Sequence, residues 1–250
     1  MTDFSNIKIR CSSLGSLMTE PQSKTDKDAG NLSKTAQKHL IDVYIAEKYG
    51  RIRDIQTKQI AKGIEAEQAS IELLSLYLKK PFNKNEERIS NEYVSGLPDL
   101  YNGNDIKNTD LIIDIKSSYD LWTFMANVPD KLDSIYYWQL MGYMWLTGAT
   151  NSYVAYCLVN TPDNIIQKEK YWMLQKMNVV SEESPEFIRE SAKIEFNMTF
   201  DDISIAERVL LFPVKRNEDD IFRIQNKVEK AREFLIELEN THLNFNNERF

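Results

Sequence analysis

Residues 111–116, Leu-Ile-Ile-Asp-Ile-Lys, read as a buried strand that carries two charges. Side chains alternate between faces in an extended chain. Asp114 and Lys116 therefore project together, while Ile113 and Ile115 point into the core. An Asp and a Lys on an otherwise apolar strand are costly to bury without purpose. Upstream, Gly96-Leu97-Pro98-Asp99 places a second carboxylate fifteen residues before Asp114. If Asp99 lies on the neighbouring strand, two carboxylates and an ammonium converge. Such a pair binds a hard divalent cation through oxygen, usually Mg²⁺ with several retained waters. A lysine beside it can orient a water or stabilise negative charge developing on a phosphate. The simpler alternative is a strand-end ion pair between Asp114 and Lys116, with Asp99 in a Pro-Asp turn.

The rest of the chain alternates in period around this strand. Residues 1–30 are rich in Ser, Thr, Asp and Lys and read as an extended lead-in with a short ordered piece near Ile7–Leu17. Leu32, Ala36, Leu40, Val43 and Tyr44 mark a helix from about Asn31 to Tyr49, stopped by Gly50. A longer helix starts at Ile55 or Ile60 and runs to Lys80, before Pro81. Arg88–Val94 reads as a strand, Gly96-Leu97-Pro98 as a turn and Asp99–Tyr101 as a short strand; Asn102–Asn108 is a polar loop. An aromatic helix follows at Ser134–Thr147, then a buried strand at Ser152–Val159. Residues 163–180 are expected to be helical and solvent-facing, Lys193–Phe200 a strand and Asp219–Glu239 a charged amphipathic helix. This order predicts an α/β fold, a central mixed sheet flanked by helices. With no repeat or linker, the 250 residues are expected to form one domain, with a core at about 31–160 and C-terminal elaboration over 161–250.

Composition narrows the chemistry. Two cysteines, Cys11 and Cys157, exclude a disulfide framework and four-cysteine zinc or iron–sulfur sites. Two histidines leave little room for histidine-based metal or triad chemistry. No apolar run approaches the ~20 residues of a membrane span, and no signal-peptide core follows the N-terminus, so a cytoplasmic protein is expected. The net charge of −7 is uneven: residues 1–62 carry a local +4 and the remainder −11. A weakly basic N-terminal segment could present a nucleic-acid face to an otherwise acidic body.

A third carboxylate is expected from the helix before the strands. Ile64, Glu67, Ile71, Leu74 and Leu78 form one stripe at spacings of 3, 4, 3 and 4. Glu65 and Glu72 lie roughly 140–160° away on the same wheel. Glu67 is then the inward acid, either contacting metal or water or simply paired with a core Arg or Lys. Gly63, one turn earlier, would permit close approach of backbone or ligand. Gln139 and Tyr143, at i and i+4, share a face of the aromatic helix. They could hold a phosphate oxygen or orient the lysine.

Taken together, Gly63-x-x-x-Glu67, Gly96-x-Pro98-Asp99, Asp114-Ile115-Lys116 and Gln139-x-x-x-Tyr143 resemble the PD-(D/E)xK nuclease superfamily. More narrowly they resemble the phage-type exonucleases related to lambda exonuclease and the YqaJ recombinases, which share the Gln-x-x-x-Tyr helix with RecB-like nucleases. The opening Ile9-Arg10-Cys11-Ser12-Ser13-Leu14-Gly15 is similar to their Ser-rich N-terminal segment. The resemblance spans roughly residues 7–160, more weakly Val209–Arg216, and implies a restriction-endonuclease-like core. It implies Asp99, Asp114 and the Ile115 carbonyl as ligands of Mg²⁺, with Mn²⁺ able to substitute. Glu67 would bind metal directly or through water, and Lys116 would position the attacking water. This chain departs from the commonest pattern in having Asp114 where Glu is usual, and in being acidic overall.

The resemblance implies a metal-dependent deoxyribonuclease, a 5′-to-3′ exonuclease on linear duplex DNA in phage-type recombination. It further implies partnership with a single-strand annealing protein and assembly into a ring around DNA. Arg10, Ser12, Ser13, Lys79, Lys80 and Lys84 are the candidate DNA contacts, with Lys24 and Lys27 beside them. Two other readings stand: a RecB-like nuclease of another pathway, and a catalytically silent DNA-binding or virion protein that keeps the fold.

Overall fold

The computed structural model describes residues 2–53, 57–128, 131–177 and 181–247. Strand β1 (Ile9–Arg10) precedes helices α1 (Leu14–Leu17), α2 (Lys24–Asp28), α3 (Lys34–Tyr49), α4 (Lys58–Glu65) and α5 (Glu67–Leu78). Short strands β2 (Asn83–Lys84), β3 (Ile89–Ser90), β4 (Val94–Gly96) and β5 (Leu100–Tyr101) lead to the long β6 (Leu111–Ser117). Then come α6 (Leu121–Met125), α7 (Ser134–Thr147), β7 (Asn151–Cys157), α8 (Asp163–Met177), α9 (Pro185–Met198), β8 (Val209–Lys215) and α10 (Glu218–Asn247).

The main sheet has the order β2-β5-β6-β7-β8 and is mixed. Strands β6 and β7 are parallel, with Leu111 opposite Asn151 through Ser117 opposite Cys157, and the other pairings are antiparallel. A parallel pair needs a crossover, which α7 contributes to here. A smaller sheet, β1-β4-β3, lies alongside. Both faces of the main sheet are covered. Ile113 and Ile115 pack with Ile71 and Leu74 of α5, while Ile112 and Val154 pack with Leu140 and Met144 of α7. The expected α/β architecture, a mixed sheet between helices, is what the chain adopts.

Local signals explain several boundaries. Helix α3 stops where Gly50 takes φ +63°, and α7 stops where Gly148 takes φ +79°. The stretch expected as one strand over Arg88–Val94 is instead broken by Asn91. Its side-chain oxygen accepts from the Tyr93 and Val94 amides, both at 2.8 Å, and turns the chain between β3 and β4. Gly96 accordingly ends β4 rather than opening a turn.

Two further expectations are corrected. Lys193–Phe200 is not a strand but lies largely in α9. Ser184 caps that helix by accepting from Phe187 N, Pro185 occupies its first turn, and Phe187, Ser191, Ile194 and Met198 recur at helical spacing. The long helix before Pro81 is two helices, broken at Ala66 (φ −94°, ψ 2°). Ile55, its alternative start, lies outside the described residues, as do 178–180 at the end of the expected 163–180 helix. The ordered piece expected near Ile7–Leu17 is present: Ile9, Cys11, Leu14 and Leu17 are buried in the main core, joined by Phe4. That packing needs small residues. A Cβ on Gly15 would stand 2.6 Å from Ile135 Cα of α7, and one on Gly96 would stand 2.7 Å from the Tyr143 ring.

Candidate active site

Strand β6 places Asp114 and Lys116 on the face that looks toward α7. Asp114 is 2% exposed, and its Oδ2 lies 2.7 Å from Lys116 Nζ. The ion pair named as the simpler alternative therefore exists, but it does not stand alone. Strand β5 pairs Leu100 with Ile113, which brings the preceding Asp99 to β6. There Asp99 Oδ2 accepts from the Ile115 amide at 2.7 Å. Gln139 Nε2 donates both to Asp114 Oδ1 and to the Tyr143 hydroxyl, each at 2.9 Å. Glu67 opens α5 across the cleft, with Lys84 Nζ 3.4 Å from its Oε2. Glu67, Asp99, Asp114, Ile115, Lys116 and Gln139 all line one open cleft of about 840 Å³.

Gln139 and Tyr143 meet on one face of α7, as their spacing predicts. Both described hydrogen bonds of the Gln139 amide nitrogen go inward, and Tyr143 is buried behind the cleft wall. Through Gln139 the pair holds Asp114, whose other oxygen lies 2.7 Å from Lys116 Nζ. A Cβ on Gly63 would meet no protein atom within 4 Å, so of the two expected neighbours, backbone or ligand, the backbone is not close and the residue faces the open cleft.

The electrostatics follow from crowding two carboxylates in a dry place. Burial, then the neighbouring Asp114 charge, pushes Asp99 up to about 7. Burial also raises Asp114, against the pull of Lys116. Burial alone would lower Lys116, but Asp114 in contact outweighs it and holds the ammonium above its ordinary value. Asp114 Oδ2 faces the lysine without an aligned hydrogen bond. A buried carboxylate oxygen in that state, beside a second carboxylate resisting ionisation, fits a divalent cation. Among the described residues no three acidic, histidine or cysteine side chains are grouped closely enough to hold a metal ion by themselves. The donor set instead fits a cation that keeps most of its waters, as Mg²⁺ does.

The candidate DNA contacts are spread wider. Arg10 and Ser12 are exposed and Ser13 half-buried beside β4; Lys79 and Lys80 are exposed after α5. None of these lines the cleft. Lys24 and Lys27 lie on the exposed α2. Lys84 alone of the set touches a site residue, Glu67.

Sequence reasoning missed Lys62, the buried side chain of α4. It is 0% exposed, donates to the Tyr119 carbonyl at 2.8 Å and stands 5.2 Å from the Phe200 ring centre. Polar ties from Lys58 to Glu169 and from Asn164 to Glu65 hold the same helix to α8. These contacts draw α4 out of line with α5, leaving Ile64 71% exposed at the cleft. Burial pushes Lys62 down to about 8 from 10.5. The unfolded chain therefore holds this proton up to about pH 10.5, whereas the folded chain releases it near pH 8. Stability contributed at this position is lowest below pH 8 and rises as pH climbs through that window. Relative to Lys62→Met, the wild type should gain roughly 3 kcal/mol between pH 7 and 10.5. Denaturant unfolding of both proteins across that range checks it; parallel pH profiles would refute it.

No protein-family model matches the chain, and no curated protein matches it. Solved structures do. A phage-related exonuclease from Haemophilus somnus 129PT is similar at 25% identity and a TM-score of 0.74, covering 97% of this chain and 99% of its own. An alkaline exonuclease (LHK-Exo) from Laribacter hongkongensis is similar at 14% identity and a TM-score of 0.61, covering 98% of this chain and 95% of its own. The same exonuclease in complex with dAMP gives 13% identity and a TM-score of 0.62, covering 99% and 97%. Over almost its entire length, the chain shares the fold of the phage-related and alkaline exonucleases.

Proposed function

We propose that this protein is a divalent-metal-dependent deoxyribonuclease that hydrolyses phosphodiester bonds from the ends of linear duplex DNA, with 5′-to-3′ polarity, in phage-type recombination. The observation that carries this reading is the convergence of Asp99, Asp114 and Lys116 in one open cleft. Asp99, Asp114 and the Ile115 carbonyl would hold Mg²⁺ or Mn²⁺, with Glu67 direct or through water; the ion would polarise a phosphoryl oxygen. Lys116 holds the attacking water and meets the negative charge that builds on phosphorus. Gln139, anchored on Tyr143, fixes the Asp114 carboxylate so that Lys116 stays in place. Water adds to phosphorus, the bond to the 3′ oxygen breaks, and that oxygen leaves with a proton. Ring assembly and partnership with an annealing protein belong to the same proposal.

Among the described residues, no helix is long and apolar enough to cross a membrane. The two cysteines and two histidines do not have zinc-finger spacing, and with phosphates positioning the substrate cleavage should be indifferent to sequence. With Mg²⁺, end-labelled linear duplex should be digested progressively from its 5′ ends while closed circular duplex persists. Rapid linearisation of circles would make the protein an endonuclease. Absence of cleavage with either metal, alongside retained DNA binding, would favour the silent DNA-binding reading.

A further inference from the structure

One wall of the cleft is aromatic, and the chemistry described above makes no use of it. Tyr136 of α7, Tyr156 of β7 and Phe212 of β8 all line the cleft and are half-buried. Tyr136 and Tyr156 meet edge to face at 6.2 Å between ring centres, and Tyr156 and Phe212 do so at 5.6 Å. The row begins at the site itself, since Lys116 Nζ lies 4.8 Å from the centre of the Tyr136 ring. Strand register explains the alignment. Tyr156 is paired with Lys116, and Phe212 with Val154, which is paired with Asp114. Neighbours in register share a face, so the rings stand on the same side of the sheet as the two charged residues. Neither phenol hydroxyl hydrogen-bonds to a described residue, and neither is a buried orphan. Two unused donors therefore border a run of ring faces and edges.

Resting on the nuclease reading, we propose that Tyr136, Tyr156 and Phe212 form a base-stacking subsite for a single-stranded end of the DNA whose phosphate reaches Lys116. Every base has a π-face, so such a wall holds unpaired nucleotides without selecting sequence. The phosphate and the bases are then recognised by separate groups: the positive charge of Lys116, and ring faces along β7 and β8. A duplex end would have to unpair to use the wall, which gives preference to ends and to pre-frayed strands.

The test compares an oligothymidylate with an abasic tetrahydrofuran oligomer of equal length and charge, both labelled and read by anisotropy in EDTA, where no cleavage is needed. Wild type should bind the base-bearing oligomer about tenfold more tightly. Tyr156→Leu and Phe212→Leu should each remove most of that preference without changing abasic binding, and Tyr156→Phe should keep it. Melting temperatures within a few degrees of wild type would show that the leucine variants fold. Because the wild-type comparison stands by itself, a variant that misfolds does not rescue or sink the idea. Equal affinity of wild type for the two oligomers overturns the wall, as do equal losses on both probes in the leucine variants. Cleavage without base preference would remove the wall but keep the nuclease; base preference without cleavage under Mg²⁺ would do the reverse.

Discussion

Asp114→Asn should abolish cleavage of linear duplex, by on the order of a thousandfold or more, while the protein stays folded. Asparagine has nearly the same shape, so the change is almost purely one of charge. Three consequences follow at the site. The cation loses an anionic ligand, Lys116 loses the carboxylate 2.7 Å away, and Gln139 loses the charged acceptor of its 2.9 Å hydrogen bond. Stability should move the other way or hardly at all. Burial opposes ionisation of Asp114 in the folded protein, so removing the charge removes that cost, offset by a weaker hold on Lys116. Lys116→Ala should lose about a hundredfold or more, because it keeps the ligand but loses the group that holds water. A thermal melt and a single-turnover assay at saturating Mg²⁺ decide the matter. Near wild-type cleavage by either variant would mean that β6 carries a salt bridge and no chemistry.

The motifs were legible because they are local. Alternation along β6 put Asp114 and Lys116 on one face, and the i, i+4 spacing put Gln139 and Tyr143 together; both relations depend on a single element. What a sequence hides is how elements meet. Nothing local says that β5 pairs antiparallel to β6, and that pairing is what brings Asp99 to the Ile115 amide. The aromatic wall is hidden for the same reason, since Tyr156 and Phe212 become neighbours only through β7–β8 register. Tyr136 was more accessible, three residues before Gln139 on the same helical face. The helical wheel over 64–78 assumed one unbroken axis. It holds from Glu67 onward, with Ile71 and Leu74 buried, and fails at Ile64 because the axis changes at Ala66. A buried Lys62 is nearly invisible in sequence, where a lysine between Ala61 and Gly63 reads as solvent-facing. The expected strand at Lys193–Phe200 gave way to a helix capped at Ser184, and Phe196 is left exposed.

The three glutamates near the α4–α5 junction should separate cleanly. Glu67 lines the cleft and its charge reaches Asp99, helping to hold that carboxyl up near 7. Glu65 points away, accepting from Asn164 Nδ2 at 2.6 Å, and Glu72 accepts from Gln68 Nε2 at 3.0 Å on the exposed side of α5. Glu67→Gln should therefore lower cleavage about ten- to a hundredfold, the scale seen when an outer partner of a metal site is removed. The loss should appear chiefly as a higher Mg²⁺ requirement, since Asp99 and Asp114 remain. Glu65→Gln and Glu72→Gln should stay within about twofold of wild type, because each exchanges one solvent-side hydrogen bond for another. The Glu67–Lys84 ion pair sharpens the expectation. In the free protein Lys84 occupies part of the Glu67 charge at 3.4 Å, so a cation approaching Glu67 must compete with it. Lys84→Gln should accordingly lower the Mg²⁺ concentration needed for half-maximal cleavage, and the double variant Glu67→Gln, Lys84→Gln should show no such gain. Mg²⁺ titrations of the wild type and these five variants test both arms. Equal losses at positions 65, 67 and 72 would place the metal elsewhere, and an unchanged Mg²⁺ requirement in Glu67→Gln would leave Glu67 as a partner of Lys84 alone.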